Sequence, residues 1–176
     1  MSAHRFRAAR DADGTALIGL IGKVFVEYPG CVLDVDGEMP ELKAPATSAR
    51  AGHGRWWVVE DDEGVVASVA AFPLAEDDAV ELKKLYVDAA HRGRGLGTRL
   101  IALVEHEARK RIAGRVVLWT DTRFETAHRL YERLGYARAP ATRALGDKSG
   151  TIEFHFAKPL GKAARPARSE EVGRWP

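Results

Sequence analysis

The sequence predicts a mixed α/β domain in which one sheet is flanked by helices, and three observations lead to that class. Apolar residues recur at helical spacing in some segments and alternate, or run together, in the segments between them, in the order β-α-β-β-β-α-β-α-β. No motif repeats at any period between about 20 and 50 residues, which excludes solenoids and propellers. The length, 176 residues, suits one well-buried domain better than two.

The first helix is marked by Leu17, Leu20, Ile21, Val24 and Tyr28 on one face, after Asp11 and Asp13, whose charges suit the positive end of a helix dipole. Residues 29–54 mix Pro, Gly and small polar side chains and read as a long loop holding a short helix. Residues 56–60 and 65–72 flank the turn Asp61-Asp62-Glu63-Gly64 and form a β-hairpin. A third strand covers 80–87. A long helix over 96–112 follows, with Leu96, Leu100, Leu103, Val104 and Ala108 as its apolar stripe. Residues 116–119 are continuously apolar, as in a strand buried on both faces. The next helix carries Ala127, Leu130, Tyr131 and Leu134 on one stripe; Thr122 with Glu125 fits a capping box at its start, and Gly135 ends it. Ile152, Phe154 and Phe156 alternate with Glu153 and His155 in a last, half-exposed strand. From Gly161 onward apolar residues are scarce until Trp175, so 1–160 is expected to be the domain and 161–176 a flexible tail.

Composition excludes more than it proposes. With 45 % hydrophobic and 30 % charged residues the chain is neither disordered, collagen-like nor coiled coil. A net charge of +2 is too small for a nucleic-acid binder that works by bulk charge. The basic run at 109–115 falls at a helix C-terminus, where it suits the dipole, so no nucleic-acid partner is expected. Cys31 is the single cysteine, which excludes an intramolecular disulfide and a cysteine-rich zinc site. His106 and Glu107 do not complete a His-Glu-x-x-His pattern, and no metal is expected. The apolar runs are too short to span a bilayer and the N-terminal residues lack a secretory pattern; the expected location is the cytoplasm, with no membrane partner.

Two segments carry chemistry. Within 80–87 the apolar residues stand at 80 and 82 and then at 85 and 87, so the frame slips across Lys83-Lys84. A β-bulge restores the faces and frees backbone N–H and C=O groups for a ligand; an ordinary edge irregularity fits the same pattern. Next, Arg92-Gly93-Arg94-Gly95-Leu96-Gly97-Thr98 stands between a strand and a helix. Its glycines allow left-handed backbone and close approach of an anion, and the helix start offers unpaired N–H groups. The element suits a phosphate or pyrophosphate, with charge from Arg92 and Arg94; a purely structural turn is the alternative. Its spacing matches neither the dinucleotide pattern G-x-G-x-x-G nor the Gly-Lys-Ser/Thr ending of a triphosphate loop.

The pattern Arg92-x-x-Gly95-x-Gly97, preceded by Glu81-Leu-Lys-Lys-Leu-Tyr-Val87 and followed by Ala127-His-Arg-Leu-Tyr-Glu-Arg-Leu-Gly-Tyr136, resembles the GNAT family of N-acetyltransferases. The resemblance covers residues 3–160. It implies the acyl-CoA N-acyltransferase (GNAT) fold, a single mixed and mostly antiparallel central sheet with flanking helices, and acetyl-CoA as co-substrate where two central strands splay. It implies backbone contacts from Leu85, Tyr86 and Val87 to the pantetheine arm, and from Arg92, Gly93, Arg94, Gly95, Leu96, Gly97 and Thr98 to the pyrophosphate. It also implies Tyr131 as the acid that protonates the leaving thiolate and Glu81 as the base, directly or through water.

By periodicity alone Tyr131 completes a core stripe, and Glu81 is a surface group paired with Lys83. Members often carry Asn seven residues before the tyrosine, where this chain has Phe124. His128 and His155 are further titratable candidates. The implied acceptor is a small-molecule or peptide amine. Candidate contacts for a cationic amine are Asp34, Asp36, Glu38, Glu41, the cluster Glu76, Asp77 and Asp78, and Trp56 with Trp57; a solvated acidic loop is the plainer reading. Homodimers are common in the family, and a non-catalytic acyl-CoA-binding module of the same fold is the alternative to an enzyme.

Overall fold

Strand alternation sorts the apolar residues onto two faces of one sheet. In a computed structural model that describes residues 3–161, the strands are β1 (Arg5–Ala8), β2 (Arg55–Asp61), β3 (Gly64–Leu74), β4 (Ala79–Val87), β5 (Arg115–Asp121), β6 (Ala137–Ala144) and β7 (Ile152–Pro159). Their order across the sheet is β1-β2-β3-β4-β5-β7-β6, antiparallel throughout except for the parallel pair β4–β5. The helices are α1 (Gly14–Phe25), α2 (Pro45–Ala51), α3 (Leu96–Lys110) and α4 (Glu125–Arg133). The expected tail, from residue 162, lies outside the described residues.

On one face α1 buries Leu17, Ile21 and Phe25 against Trp56, Val58 and Ala70. On the other, α3 buries Leu100, Ile101 and Val104 against Val69, Val80, Leu82, Val116, Leu118 and Phe156. Each such side chain contributes about 1.5–3 kcal/mol by leaving water, so the two cores clamp the sheet between them.

The feature that positions the site is a local failure of pairing. Strands β4 and β5 pair at Ala79–Arg115, Val80–Val116 and Glu81–Val117, although β4 continues to Val87 and β5 to Asp121. On its other edge β4 slips register: Tyr86 faces Ser68 and Lys83 faces Ala70, so Lys84 and Leu85 together oppose Val69. The bulge lies where the alternation breaks. Lys84 takes a left-handed φ of +55°, and its carbonyl accepts the Ser68 hydroxyl at 2.8 Å. Beyond the bulge Leu85 and Val87 pack toward the α3 core and Tyr86 toward the α1 core.

Some sequence expectations need correction. Strand β6 was not foreseen, because nearly every residue of it is exposed at the sheet edge and no apolar alternation marks it; its Pro140 suits such an edge. Its presence places β7 inside the sheet, with Phe156 fully buried. Among the described residues α4 has no capping box: Phe124 is its N-cap, and Asp121 closes the turn instead by accepting the Arg123 N–H on Oδ1 at 2.9 Å. Helix α1 ends at Phe25, leaving Tyr28 in the next turn, and α3 ends before Ile112, which is exposed with φ +60°.

Leu118 is fully buried in β5 at the centre of the α3 core. Replacing it by Ala is expected to cost about 2–5 kcal/mol in urea unfolding, with an unchanged denaturant slope.

Candidate active site

Past Glu81 and Val117 the parallel strands part, and two cavities open along the gap with Leu85, Tyr86, Phe124 and Ala127 as their shared wall. The larger, about 470 Å³, runs over Val87, the glycine turn and the inner side of α4. Gly93 and Gly95 adopt left-handed φ of +74° and +76°, which only glycine takes without strain. At Gly97 a Cβ would come within 2.9 Å of Leu130 Cδ2, so that side chain would have to shift to admit one. Leu96, Gly97 and Thr98, in the first turn of α3, carry amides without intrahelical partners and line this cavity.

The charge around the turn is distributed differently from the sequence expectation. Arg92 is not a free cation: both terminal nitrogens bind the Glu27 carboxylate at 2.6 and 2.7 Å, and its Nε donates to the Val87 carbonyl at 3.0 Å. The Glu27 hydrogen bonds raise its already high pKa. Arg94 is exposed and is not among the residues lining the cavity, whereas Arg129 and Arg133 of α4 are.

The smaller cavity, about 130 Å³, reaches the other side of the bulge. Tyr131 lines it while remaining only 4 % exposed, packed against Phe156 and Tyr136 with ring centroids 5.7 and 6.0 Å apart. Burial pushes its phenol well above the ordinary tyrosine range, so it carries its proton at neutral pH. Lys83, Trp119, Asp121 and Glu153 share the same cavity.

The sequence pattern of the Acetyltransferase (GNAT) family matches residues 24–136, a span that includes the bulged strand, the glycine turn and α4. The chain belongs to that family. It is 34 % identical over 131 residues to the uncharacterized N-acetyltransferase YjgM of Escherichia coli K12, covering 70 % of this chain and 76 % of that protein. With N-acetylaspartate synthetase of Rattus norvegicus it shares 34 % identity over 123 residues, 68 % of this chain but 39 % of that longer protein. Two solved structures share the fold. One is a GNAT-family acetyltransferase from Staphylococcus aureus Mu50, with a TM-score of 0.76 at 17 % identity over 90 % of this chain and 100 % of that one. The other is yncA of Salmonella typhimurium, solved with its cofactor acetyl-CoA, with a TM-score of 0.69 at 21 % identity over 94 % and 99 %. No helix among the described residues is long and apolar enough to cross a membrane.

Within this family frame, the sequence-derived site residues separate into those the fold gathers and those it does not. Leu85, Tyr86, Val87, Tyr131 and the turn residues other than Arg94 line the paired cavities. Glu81 is buried and its carboxylate meets Lys83 Nζ at 3.3 Å, but it is not among the residues lining either cavity. Phe124 lines both cavities, with its ring 4.6 Å from that of Tyr28.

Trp56 is buried under α1 and Trp57 packs against the opposite core, so neither faces an acceptor. Of the acidic loop, Glu38 lines the smaller cavity, while Asp36 pairs with Lys43 and Glu41 with Lys84. Asp78 sits at the far end of β4, bonded to the Gly114 N–H.

The sequence reading missed Trp119, Asp121 and Glu153. Asp121 is 7 % exposed and bound by Arg123 at 2.6 Å; Glu153, opposite it in β7, is bound by Arg143 at 2.6 Å. A carboxylate ending an apolar strand was the available signal, because open α/β sheets gather ligands at the carboxyl ends of their parallel strands.

His128 donates from Nε2 to the Asp121 carbonyl at 2.9 Å, and burial lowers its pKa below the usual imidazole value. Well above about pH 6.5 the ring is neutral in folded and unfolded chains alike. As the pH falls, the unfolded chain takes up the proton first and stability declines. Thermal melts between pH 7 and pH 5 are expected to show this decline, and His128→Gln is expected to reduce its slope.

Proposed function

We propose that the protein is an N-acetyltransferase that moves the acetyl group of acetyl-CoA to a primary amine by direct attack on the thioester. The meeting of the two cavities at the β4 bulge carries this reading, because it offers one channel for a long phosphorylated thioester and a second for its acceptor. Acetyl-CoA would lie in the larger cavity. There the α3 amides and the left-handed glycines suit the pyrophosphate, and Arg129 and Arg133 supply cations for the phosphates. Leu85, Tyr86 and Val87 are the backbone assigned to the pantetheine arm, whose position brings the thioester carbon to the shared wall.

In the reaction the amine nitrogen forms the new C–N bond, the C–S bond breaks, and the amine loses a proton as the sulfur gains one. An alkylammonium has a pKa of about 10.4, so the attacking amine must first be neutralised. We assign that proton to Glu81 acting through water, since its carboxylate stands beside Lys83 rather than on the cavity wall. Tyr131 supplies the sulfur's proton and is recharged from solvent. Holding amine and thioester on either side of one bulge supplies the proximity term, often a large part of such catalysis. The acceptor class is a small-molecule or peptide amine, for which the smaller cavity offers polar contacts from Glu38, Asp121 and Glu153. Retention of Tyr131 on the wall of the smaller cavity favours this reading over a non-catalytic acyl-CoA-binding module.

Gly95→Glu places a side chain in left-handed backbone and a negative charge at the pyrophosphate position; calorimetry is expected to show no acetyl-CoA binding. Tyr131→Phe is expected to slow single-turnover acetyl transfer by on the order of 10²–10⁴ with acetyl-CoA affinity retained. An unchanged rate would remove Tyr131 from the acid role.

A further inference from the structure

At the border of the larger cavity, which His91 also lines, three residues distant in sequence converge: His4 just ahead of β1, Asp61 at the end of β2, and His91 on the short 3-10 turn Ala89–His91 that follows β4. Each offers one ligand atom, and these atoms all lie within 4.8 Å of one another. His91 Nε2 stands 3.0 Å from Asp61 Oδ2, and the two imidazoles meet edge to face with centroids 5.5 Å apart.

Hydrogen bonding between His91 Nε2 and Asp61 accounts for only part of the arrangement. His4 Nε2 and His91 Nδ1 are both shielded from solvent, and neither has a partner among the described residues. Shielded polar atoms in native proteins are nearly always satisfied, and orphans of this kind call for a water or an ion. The Asp61 side chain is only 5 % exposed. One of its oxygens takes the Glu63 N–H at 2.9 Å, and the other faces His91. Asp88 adds an outer layer: its Oδ1 lies 3.9 Å from His91 Nδ1, and the carboxylate is held by the Ala90 N–H and Lys23. Metal-bound histidines commonly turn their second ring nitrogen toward such a carboxylate.

We propose that His4, Asp61 and His91 form a binding site for a divalent transition-metal ion of the zinc class. Two imidazole nitrogens and one carboxylate oxygen suit Zn²⁺ or Co²⁺, whereas Mg²⁺ and Ca²⁺ require oxygen shells. Zinc bonds of about 2.0–2.1 Å set tetrahedral ligand atoms about 3.3 Å apart. The His91–Asp61 edge already has nearly that length; the His4 ligand atom, within 4.8 Å of both, would close in by up to about 1.5 Å to complete the face, leaving a fourth position for water. The ion would tie the start of β1 and the β2–β3 turn to the residue directly before Arg92, bracing the backbone that leads into the glycine turn. The site stands independently of the acetyl-transfer reading and replaces the sequence expectation that no metal is involved.

The test is titration of the tag-free, full-length chain with Zn²⁺ by calorimetry and with Co²⁺ by visible absorption. One ion per chain is expected, with a tetrahedral Co²⁺ spectrum, a melting temperature that rises with Zn²⁺ concentration, and no heat from Mg²⁺. His4→Ala and Asp61→Asn are each expected to weaken Zn²⁺ binding by about tenfold or more, in the range of other losses from metal-site shells. Circular dichroism without metal checks that each variant is folded, and His4→Ala, which touches neither core, decides the matter if Asp61→Asn is not. Absence of saturable Zn²⁺ binding, or wild-type affinity in folded His4→Ala, would overturn the proposal.

Discussion

A parallel strand pair that closes at one end and opens at the other is the constraint on which the rest of this molecule depends. Strands β4 and β5 are joined only near their N-terminal ends, and the bulge at Lys84 and Leu85 turns β4 away before the pairing can continue. Leaving backbone groups unpaired in the middle of a sheet is costly unless something else takes their hydrogen bonds. Here Ser68 satisfies the Lys84 carbonyl, and the remaining groups border cavities. The cores on either face hold this opening in place. Helix α3 packs across β3, β4 and β5, so the splayed strands cannot zip together without disrupting Val80, Leu82, Val116 and Leu118.

The charges follow the same division. On the larger cavity stand the first turn of α3, Arg129 and Arg133, all of which favour anions. On the smaller stand Glu38, Asp121, Asp147 and Glu153, with Lys83 and Lys84 toward the bulge. Arginines pair Asp121 and Glu153, so the smaller cavity mixes paired charges of both signs while the larger favours anions. The Glu27–Arg92 pair sits at the boundary. It fixes the chain beyond α1 to the start of the glycine turn, so that Arg92 acts as a strut between two elements.

Tyr131 shows how one physical condition serves both structure and chemistry. Its ring completes the core stripe of α4 against Phe156 and Tyr136, and the burial that makes this packing favourable also keeps the phenol protonated. Core packing and the proposed acid role are therefore compatible, since burial meets the requirement of each. His91 has a comparable double position, lining the larger cavity while meeting Asp61 at the end of β2.

Local physical chemistry made much of this legible in the chain. Alternation and helical spacing marked the hairpin, the central strands, α3 and α4; the slip across Lys83-Lys84 marked the bulge; the glycines marked the turn. Strand β6 escaped because an edge strand exposed on nearly every residue has no buried face to leave a pattern. Asp121, Glu153 and Trp119 escaped because their meeting depends on the register of β5 against β7. Arg92 looked like a free cation, since no local rule announces Glu27 as its partner. The sequence by itself determined most of the elements, the register slip in β4 and the glycine turn, because each rests on residues within a turn or two of one another. The tertiary structure alone decided which side chains line the two cavities, which charges are neutralised, and that His4, Asp61 and His91 meet, because those outcomes rest on pairing and packing between distant segments.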